Sequence, residues 1–222
     1  MSWLYESLNS SIGKKFIMAV TGICLILFLI IHLVGNLTLY GGADAFNGYV
    51  RTLEIVKPLI RVIEVVLGLI FLFHIFNGIR LWIENKQARP ESYAVSGLSK
   101  NTDIFSRTMI QSGSIVFIFL VLHLSTFWVA FNFSGAPEKK PYQYYSIIIE
   151  WFKNPYYAAF YVLAVILLGF HLNHGFQSAF QTFGWNHKKY FPFIQKIGML
   201  YSLIMAIGFA SIPIYFFFNG GN

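Results

Sequence analysis

Residues 16–40 read FIMAVTGICLILFLIIHLVGNLTLY and contain no Asp, Glu, Lys or Arg. The hydrocarbon core of a bilayer needs about 20 apolar residues in a helix, so this stretch is long enough to cross a membrane. It is too long for the apolar region of a cleaved signal peptide and lacks an A-x-A site before polar sequence. One ionisable side chain, His32, lies well inside it.

Four further stretches have the same character. They run over residues 59–83, 108–133, 155–182 and 193–218. Pro155 and Pro192 stand where two of these stretches begin, a position at which the missing N–H of proline costs a helix nothing. We therefore predict an all-α membrane protein, a bundle of five transmembrane helices that forms a single domain over residues 1–222.

The composition supports the same class. Of 222 residues, 56% are hydrophobic and 11% are charged, against about 25% charged in soluble domains. The mean hydropathy is +0.60. These values exclude a disordered chain and an ordinary soluble domain. The single cysteine, Cys24, excludes a disulfide scaffold, and without a C-x-x-C-H motif covalent attachment of a c-type haem is excluded as well.

The net charge of +7 reflects basic residues that flank the apolar stretches, as in membrane proteins, and does not indicate nucleic-acid binding. Of the 16 lysines and arginines, ten fall on the side of the N-terminus and six on the other side. Cytoplasmic segments carry the excess of Lys and Arg. We therefore predict that the N-terminus is cytoplasmic and that the C-terminus lies outside.

Histidines are the most informative side chains. His32, His74, His123 and His171 lie inside the first four stretches, one in each. Counted from the cytoplasmic side by helix rise, His32 and His123 lie about 24 and 22 Å deep. His74 and His171 lie about 14 and 16 Å deep by the same count. The four histidines therefore form an outer level and an inner level with two histidines each.

Two levels of paired imidazoles are what two bis-histidine haems require, and ionisable side chains at membrane depth are usually functional. Two other interpretations stay open at this point. A transporter or sensor could use the histidines for protons or a metal without haem, although its ligands would then be expected at one level and with carboxylates. The histidines could also bind neighbouring helices through hydrogen bonds.

Neighbouring residues refine the ligand set. His174 competes with His171, because three residues make nearly a full helical turn. The depth of His171 matches that of His74 slightly better. Gly35, Gly78 and Gly175 follow His32, His74 and His171 by three or four residues and lie on the same helix faces. These glycines provide room for a flat macrocycle beside its ligand or serve ordinary helix packing.

At these residues the chain resembles the dihaem cytochrome b membrane anchors of succinate dehydrogenases and fumarate reductases. Residues 28–34, FLIIHLV, together with Asn36 are similar to the first-helix ligand region of that family. Residues 43–47, ADAFN, resemble the loop that follows it. His123 matches by position more than by its neighbours.

His74 with Gly78 and His171 with Gly175 resemble the second-helix and fourth-helix ligands, and this register favours His171 over His174. The resemblance covers essentially the whole chain. One departure is Gly169, which stands where some fumarate reductase anchors carry a buried glutamate implicated in proton transfer. The resemblance therefore does not extend to a proton route through that carboxylate.

The resemblance implies a membrane subunit of succinate:quinone oxidoreductase in the bacterial cytoplasmic membrane, not catalytic for succinate oxidation alone. Its implied partners are an FAD-containing flavoprotein and an iron–sulfur subunit on the cytoplasmic face, with oligomers of the whole complex left open. Its implied cofactors are two non-covalent b haems. One has His74 and His171 as axial ligands near the inner face, and the other has His32 and His123. The electron acceptor or donor in the membrane is a quinone, with menaquinone favoured by analogy.

Polar side chains near the ends of the stretches supply further candidates. We expect from the same resemblance that the propionates of the inner haem point to the cytoplasmic face, and five residues there are candidates to bind them: Ser11, Lys14, Lys15, Arg80 and Arg107. A quinone headgroup needs hydrogen-bonding partners at the outer level, and the candidates there are Asn36, Asn47, Arg51, Glu54 and Glu64. His174 is placed near a propionate or a quinone. Each charged candidate has an ordinary alternative role at the membrane surface.

Overall fold

The computed structural model describes residues 3–88, 108–133 and 144–219. All regular secondary structure within these ranges is helical, without a strand. Five helices in the described part of the chain are long and apolar enough to cross a membrane. This confirms the predicted class of all-α membrane protein with five spans. The orientation of the termini and the single domain stay predictions.

The helices are α1 (Trp3–Asn9), α2 (Ser11–Leu37), α3 (Gly42–Ile55), α4 (Lys57–Gln87), α5 (Met109–His123), α6 (Val129–Phe133), α7 (Tyr144–Lys153), α8 (Pro155–Thr182) and α9 (Phe191–Asn219). A 3-10 turn joins α2 to α3, and a π-helical segment, Leu124–Trp128, joins α5 to α6. The spans are α2 with its continuation to Ile55, α4, α5 to α6, α8 and α9.

Polar ends make two of these helices longer than their apolar stretches. Helix α2 begins five residues before residue 16, where the Ser10 hydroxyl accepts a hydrogen bond from the Gly13 N–H at 3.0 Å and caps the helix. Helix α4 continues past residue 83, and the Arg80 guanidinium contacts the Glu84 carboxylate at 3.1 Å four residues along. Hydropathy marks the membrane crossing, whereas capping and ion pairs set where the helix ends.

Helices α3 and α7 lie between the predicted membrane stretches. Both are amphipathic. Helix α7 buries Tyr144, Ile148 and Phe152, which recur every four residues on one face, and α3 buries Phe46 and Asn47. The last ten residues of the connection over residues 132–153 therefore form a helix, because such a short helix gains stability by packing one face.

Helix α8, which carries His171, has both ends defined by local chemistry. Asn154 caps its start, since the side-chain oxygen accepts from the N–H groups of Tyr156 and Tyr157 at 3.0 and 3.2 Å. Pro155 is the first helical residue, as predicted. At the other end Gly184 adopts a φ of 83°, and the Trp185 N–H donates to the Phe180 carbonyl at 2.9 Å. This closing pattern requires a left-handed residue, which glycine supplies.

The chain divides into two compact units. The first unit comprises Met1–Phe28, Glu64–Ser112 and Phe170–Ser202. Within it the Tyr201 hydroxyl donates to the Ile26 carbonyl at 2.9 Å, and the Asn77 amide donates to the Lys14 carbonyl at 2.6 Å. Hydrogen bonds between membrane helices contribute about 0.6 kcal/mol on average. These contacts therefore specify helix register more than they add stability.

The second unit comprises Leu29–Ile63, Gly113–Gly169 and Leu203–Asn222. Within it the Tyr40 hydroxyl donates to the Ser211 hydroxyl at 2.7 Å, which links the end of α2 to α9. The Arg61 guanidinium donates to the Asn132 side-chain oxygen. Both contacts lie toward the ends of spans, where polar groups lie closer to water.

Apolar side chains also cover the outside of the helices. In α4 no residue of the most apolar 18-residue stretch is buried within the protein. Phe73 is 61% exposed and Ile31 of α2 is 69% exposed. A surface of this kind is stable in contact with lipid and not with water.

Candidate functional site

His32 of α2 and His123 of α5 lie together in the second unit. Their ring centroids are 5.8 Å apart, and the ring planes are nearly perpendicular at 86°. Aromatic side chains surround them: the centroid of Phe209 lies 5.8 Å from His32, and that of Phe127 lies 5.4 Å from His123. We call these two residues the His32–His123 pair. It has an apolar, aromatic environment, in which electrostatic and metal–ligand interactions are strong.

A local change of helix type follows His123 directly. The π-helical segment Leu124–Trp128 begins at the next residue and buries Thr126 and Phe127. Segments of π-helix occur mostly as single turns within α-helices, and they are frequent at functional sites. The sequence analysis did not predict this segment.

His74 of α4 and His171 of α8 lie together in the first unit. Their ring centroids are 6.3 Å apart and their planes meet at 66°. We call them the His74–His171 pair. The ring that lies against His74 is that of His171. His174 lies one turn further along α8. The structure therefore brings together the two residues that the depth count placed at the inner level.

Hydroxyl groups contact the Nδ1 atoms of three of these four histidines. The Thr21 hydroxyl lies 3.2 Å from Nδ1 of His74, and the Ser112 hydroxyl lies 3.4 Å from Nδ1 of His171. In the second unit the Tyr161 hydroxyl lies 3.0 Å from Nδ1 of His123. Histidines that bind a metal through one nitrogen commonly hold a hydrogen-bond partner on the other. None of the three hydroxyl residues was expected from the sequence.

Glycines near the pairs have different surroundings. A Cβ on Gly175 would meet no atom within 4 Å, whereas a Cβ on Gly78 would lie 3.3 Å from the Cε of Met18. A Cβ on Gly35 would overlap the ring of Tyr49, whose Cζ would be 2.7 Å away. Gly175 therefore has open space beside His171, while Gly35 and Gly78 allow close packing of Tyr49 and Met18.

Charged side chains gather near the start of α2 and the end of α4. The Lys14 ammonium contacts the Glu84 carboxylate at 2.5 Å, and Arg80 contacts the other oxygen of the same carboxylate at 3.1 Å. Lys14 is buried. Two cations share one carboxylate, so the cluster has a net positive charge. Glu84 was not among the candidates from the sequence.

The other three propionate candidates lie elsewhere. Ser11 and Lys15 are exposed on the first turns of α2. Arg107 lies outside the described residues. The structure thus brings Lys14 and Arg80 to one carboxylate and leaves Ser11 and Lys15 at the surface.

Helices α3 and α7 form a polar contact in the second unit. The Tyr144 hydroxyl donates to the Glu54 carboxylate at 2.6 Å, and the Asn47 side-chain oxygen accepts from the Tyr145 N–H at 3.1 Å. Burial raises the pKa of the Tyr145 hydroxyl above its ordinary value, with the nearby Tyr215 as the smaller cause, so the hydroxyl stays protonated at neutral pH. Tyr144 and Tyr145 were not among the candidates from the sequence, because they lie outside the five apolar stretches.

The remaining quinone candidates are more dispersed. Arg51 is exposed on α3, and Glu64 of α4 is half-buried. The Asn36 amide donates to the carbonyl of His32 at 2.7 Å, which places this side chain one turn from the histidine. The structure thus brings Asn47 and Glu54 to α7, where two tyrosines join them.

The chain matches the model of the family described as "Succinate dehydrogenase/Fumarate reductase transmembrane subunit" over residues 16–100 and 85–212. It belongs to this family. The matched residues include both histidine pairs, and the resemblance that the sequence suggested is confirmed. No curated protein and no solved structure shows a significant match to this chain. The protein is accordingly an integral membrane subunit of a succinate dehydrogenase or fumarate reductase complex.

Proposed function

We propose that this subunit of the succinate dehydrogenase/fumarate reductase family binds two b haems and carries electrons between an iron–sulfur subunit and a membrane quinone. The observation that carries the proposal is the pair of close histidine contacts, one in each compact unit. In the proposed complex a flavoprotein oxidises succinate, and the iron–sulfur subunit docks on the cytoplasmic face of this chain. The proposed location is the bacterial cytoplasmic membrane, and the proposed quinone is menaquinone.

The spacing of each pair fits a six-coordinate haem iron. Two imidazoles on opposite sides of one metal ion place their ring centres about 6 Å apart, because a metal–nitrogen bond is about 2.0 Å long and each nitrogen lies about 1.1 Å from its ring centre. The observed separations are 5.8 and 6.3 Å. A site in which protein side chains alone hold zinc needs three or four of them, whereas a haem needs only two axial ligands.

Each residue of the proposed sites has a defined task. His74 and His171 would hold the inner haem, and His32 and His123 would hold the outer haem. Bound haem supplies the one-electron redox chemistry of the subunit. The aromatic side chains around the His32–His123 pair exclude water, and burial together with the axial ligands sets the reduction potential.

Propionates of the inner haem are proposed to be held by the positive cluster at the cytoplasmic end. Lys14 and Arg80 carry two positive charges against the one carboxylate of Glu84. Ser11 and Lys15 are near in sequence, and Arg107 is included from the sequence. An anion placed here gains from the remaining charge, and the low exposure of Lys14 keeps that interaction weakly screened. His174 is proposed to lie near a propionate or a quinone.

A haem count tests the proposed function. The complex, purified with this subunit intact, is expected to contain two b haems per chain by the pyridine haemochrome assay. A reduced-minus-oxidised spectrum of the same preparation should show b-type bands. The flavoprotein and the iron–sulfur subunit should copurify with the chain.

Other results would contradict the proposal in different ways. One haem per chain instead of two would contradict the proposal that each histidine pair binds a haem. A chain without haem would favour the transporter interpretation. Haem without the soluble subunits would indicate a free-standing cytochrome b.

A further inference from the structure

The hydroxyl groups beside the His74–His171 pair have their own hydrogens committed elsewhere. The Thr21 hydroxyl donates to the Ile17 carbonyl at 2.8 Å, with the Met18 carbonyl at 3.1 Å as the alternative acceptor. The Ser112 hydroxyl donates to the Met109 carbonyl at 3.1 Å. Each hydroxyl has only one hydrogen but two lone pairs. Both hydroxyls can therefore still accept a hydrogen bond from an imidazole.

The opposite arrangement is less favourable for both residues. If the Thr21 hydroxyl donated to Nδ1 of His74, it would exchange a hydrogen bond of 2.8 Å to a carbonyl for one of 3.2 Å. The Ser112 hydroxyl would likewise exchange a hydrogen bond of 3.1 Å to a carbonyl for one of 3.4 Å to Nδ1 of His171. Histidine tautomers are assigned from such networks. The network assigns the hydrogen of each ring to Nδ1.

We propose that Thr21 and Ser112 are positioning residues that hold His74 and His171 in the Nδ1–H tautomer. The lone pair of Nε2 is then available to iron in both rings. This inference rests on the proposed function, since it concerns the ligands of the inner haem. It adds two side chains from α2 and α5 to a site whose ligands come from α4 and α8.

The hydrogen bond has a second consequence besides the tautomer. An acceptor on Nδ1–H raises the basicity of the imidazole and makes it a stronger ligand. A stronger donor stabilises the oxidised iron and lowers the reduction potential. Loss of the acceptor is expected to shift the potential of one haem in the positive direction and to weaken haem retention. The effect at Thr21 should exceed that at Ser112, since the Thr21 contact is shorter by 0.2 Å.

The experiment uses the whole complex with single substitutions in this chain. Thr21→Val keeps the side-chain shape but removes the hydroxyl, and Thr21→Ser keeps the hydroxyl. Ser112→Ala tests the second position. Ser202→Ala is the matched control, because Ser202 is buried like Ser112 and its hydroxyl likewise donates to the carbonyl three residues before, that of Met199, at 2.8 Å.

Haem content and an optical redox titration are measured for each variant. Thr21→Val is expected to shift one of two midpoint potentials to a more positive value and to weaken haem retention about 10-fold or more, the usual effect of losing such a partner. Ser112→Ala should shift the same haem in the same direction by less. Thr21→Ser and Ser202→Ala should keep both potentials.

Each contrary result has a definite meaning. Two haems in the unaltered complex with unshifted potentials in Thr21→Val and Ser112→Ala would overturn the positioning role and leave the proposed function intact. An equal shift in Ser202→Ala would overturn it too, because general packing would then account for the effect. Absence of haem from the unaltered complex would overturn the proposed function itself. If the Thr21→Val complex does not assemble, the comparison of midpoint potentials between Ser112→Ala and Ser202→Ala decides whether the positioning role holds.

Discussion

Replacing His74 by alanine is expected to leave the complex with one b haem per chain instead of two and to reduce electron transfer from succinate to quinone to near background. The substitution removes one of the two imidazoles that lie 6.3 Å apart in the His74–His171 pair. A haem iron with one protein ligand left is bound far more weakly. The haem count comes from the pyridine haemochrome assay. Activity is measured with a quinone and, separately, with an artificial dye that accepts electrons directly from the soluble subunits.

The neighbouring histidine provides the control. His171→Ala should lose one haem as His74→Ala does, whereas His174→Ala should keep both, with at most a shifted potential. The two positions share one face of α8, so general damage to the helix would affect both alike. Loss of haem in His174→Ala with retention in His171→Ala would show that the fourth-helix ligand is displaced by one turn.

A conservative variant keeps the test valid if the alanine variants fail to assemble. His74→Met fills the same region with an apolar side chain and supplies a thioether in place of the imidazole. Histidine–methionine ligation raises the potential of a haem relative to bis-histidine ligation. The complex is then expected to retain the haem with a more positive midpoint. An unchanged midpoint would contradict the assignment of His74 as an axial ligand.

The helices and the pairing of histidines could be predicted because they depend on position along the chain. Helix rise is fixed at about 1.5 Å per residue, so depth in the membrane follows from counting. Depth alone grouped His74 with His171 and His32 with His123, and the structure places the same residues together. The depth count also favoured His171 over His174 as the partner of His74.

Side chains that contact the histidines could not be predicted in the same way. Thr21 meets His74, and Ser112 meets His171, only because of how each helix is rotated about its own axis. Rotation is set by packing between helices, and a threonine or serine in an apolar helix resembles any small interface residue. Tyr161, which contacts His123, could not be distinguished in the sequence from the many other aromatic residues.

Glu84 and the helix α7 were missed for a different reason. Glu84 lies one residue past the apolar stretch 59–83 and was not among the candidates from the sequence, although it contacts both Lys14 and Arg80. Helix α7 has only ten residues, which is too short to cross a membrane, so a search for long apolar stretches does not find it. A hydropathy criterion identifies membrane crossings and overlooks short amphipathic helices at the membrane surface.

Quinone is expected to react beside the outer haem, near α3 with Asn47, Arg51 and Glu54. The depth count separates the two histidine levels by about 6 to 10 Å along the membrane normal. A second haem at the outer level has a clear role only if electrons must reach that half of the bilayer. The polar contact of Glu54 with Tyr144 belongs to the same compact unit as the His32–His123 pair.

The expected result is that succinate-to-quinone electron transfer depends on the membrane potential. Electrons would start on the negative inner side and end toward the positive outer side, so the potential assists succinate oxidation. A charge that crosses the whole membrane gains about 2.3 kcal/mol per 100 mV. Collapsing the potential with an uncoupler in intact cells should therefore slow the reaction, whereas transfer to a dye on the cytoplasmic face should keep its rate.

Proton uptake gives the second measurement for the outer site. Quinone reduced beside the outer haem is expected to take up its protons from the outside, since no carboxylate stands at Gly169 to supply them along the fourth helix. A pH dye enclosed with the complex in vesicles of known orientation reports the side of uptake. Proton uptake from the cytoplasmic side, together with an electron-transfer rate that does not depend on the membrane potential, would contradict the outer site. A quinone analogue bound only beside the His74–His171 pair would reject it directly.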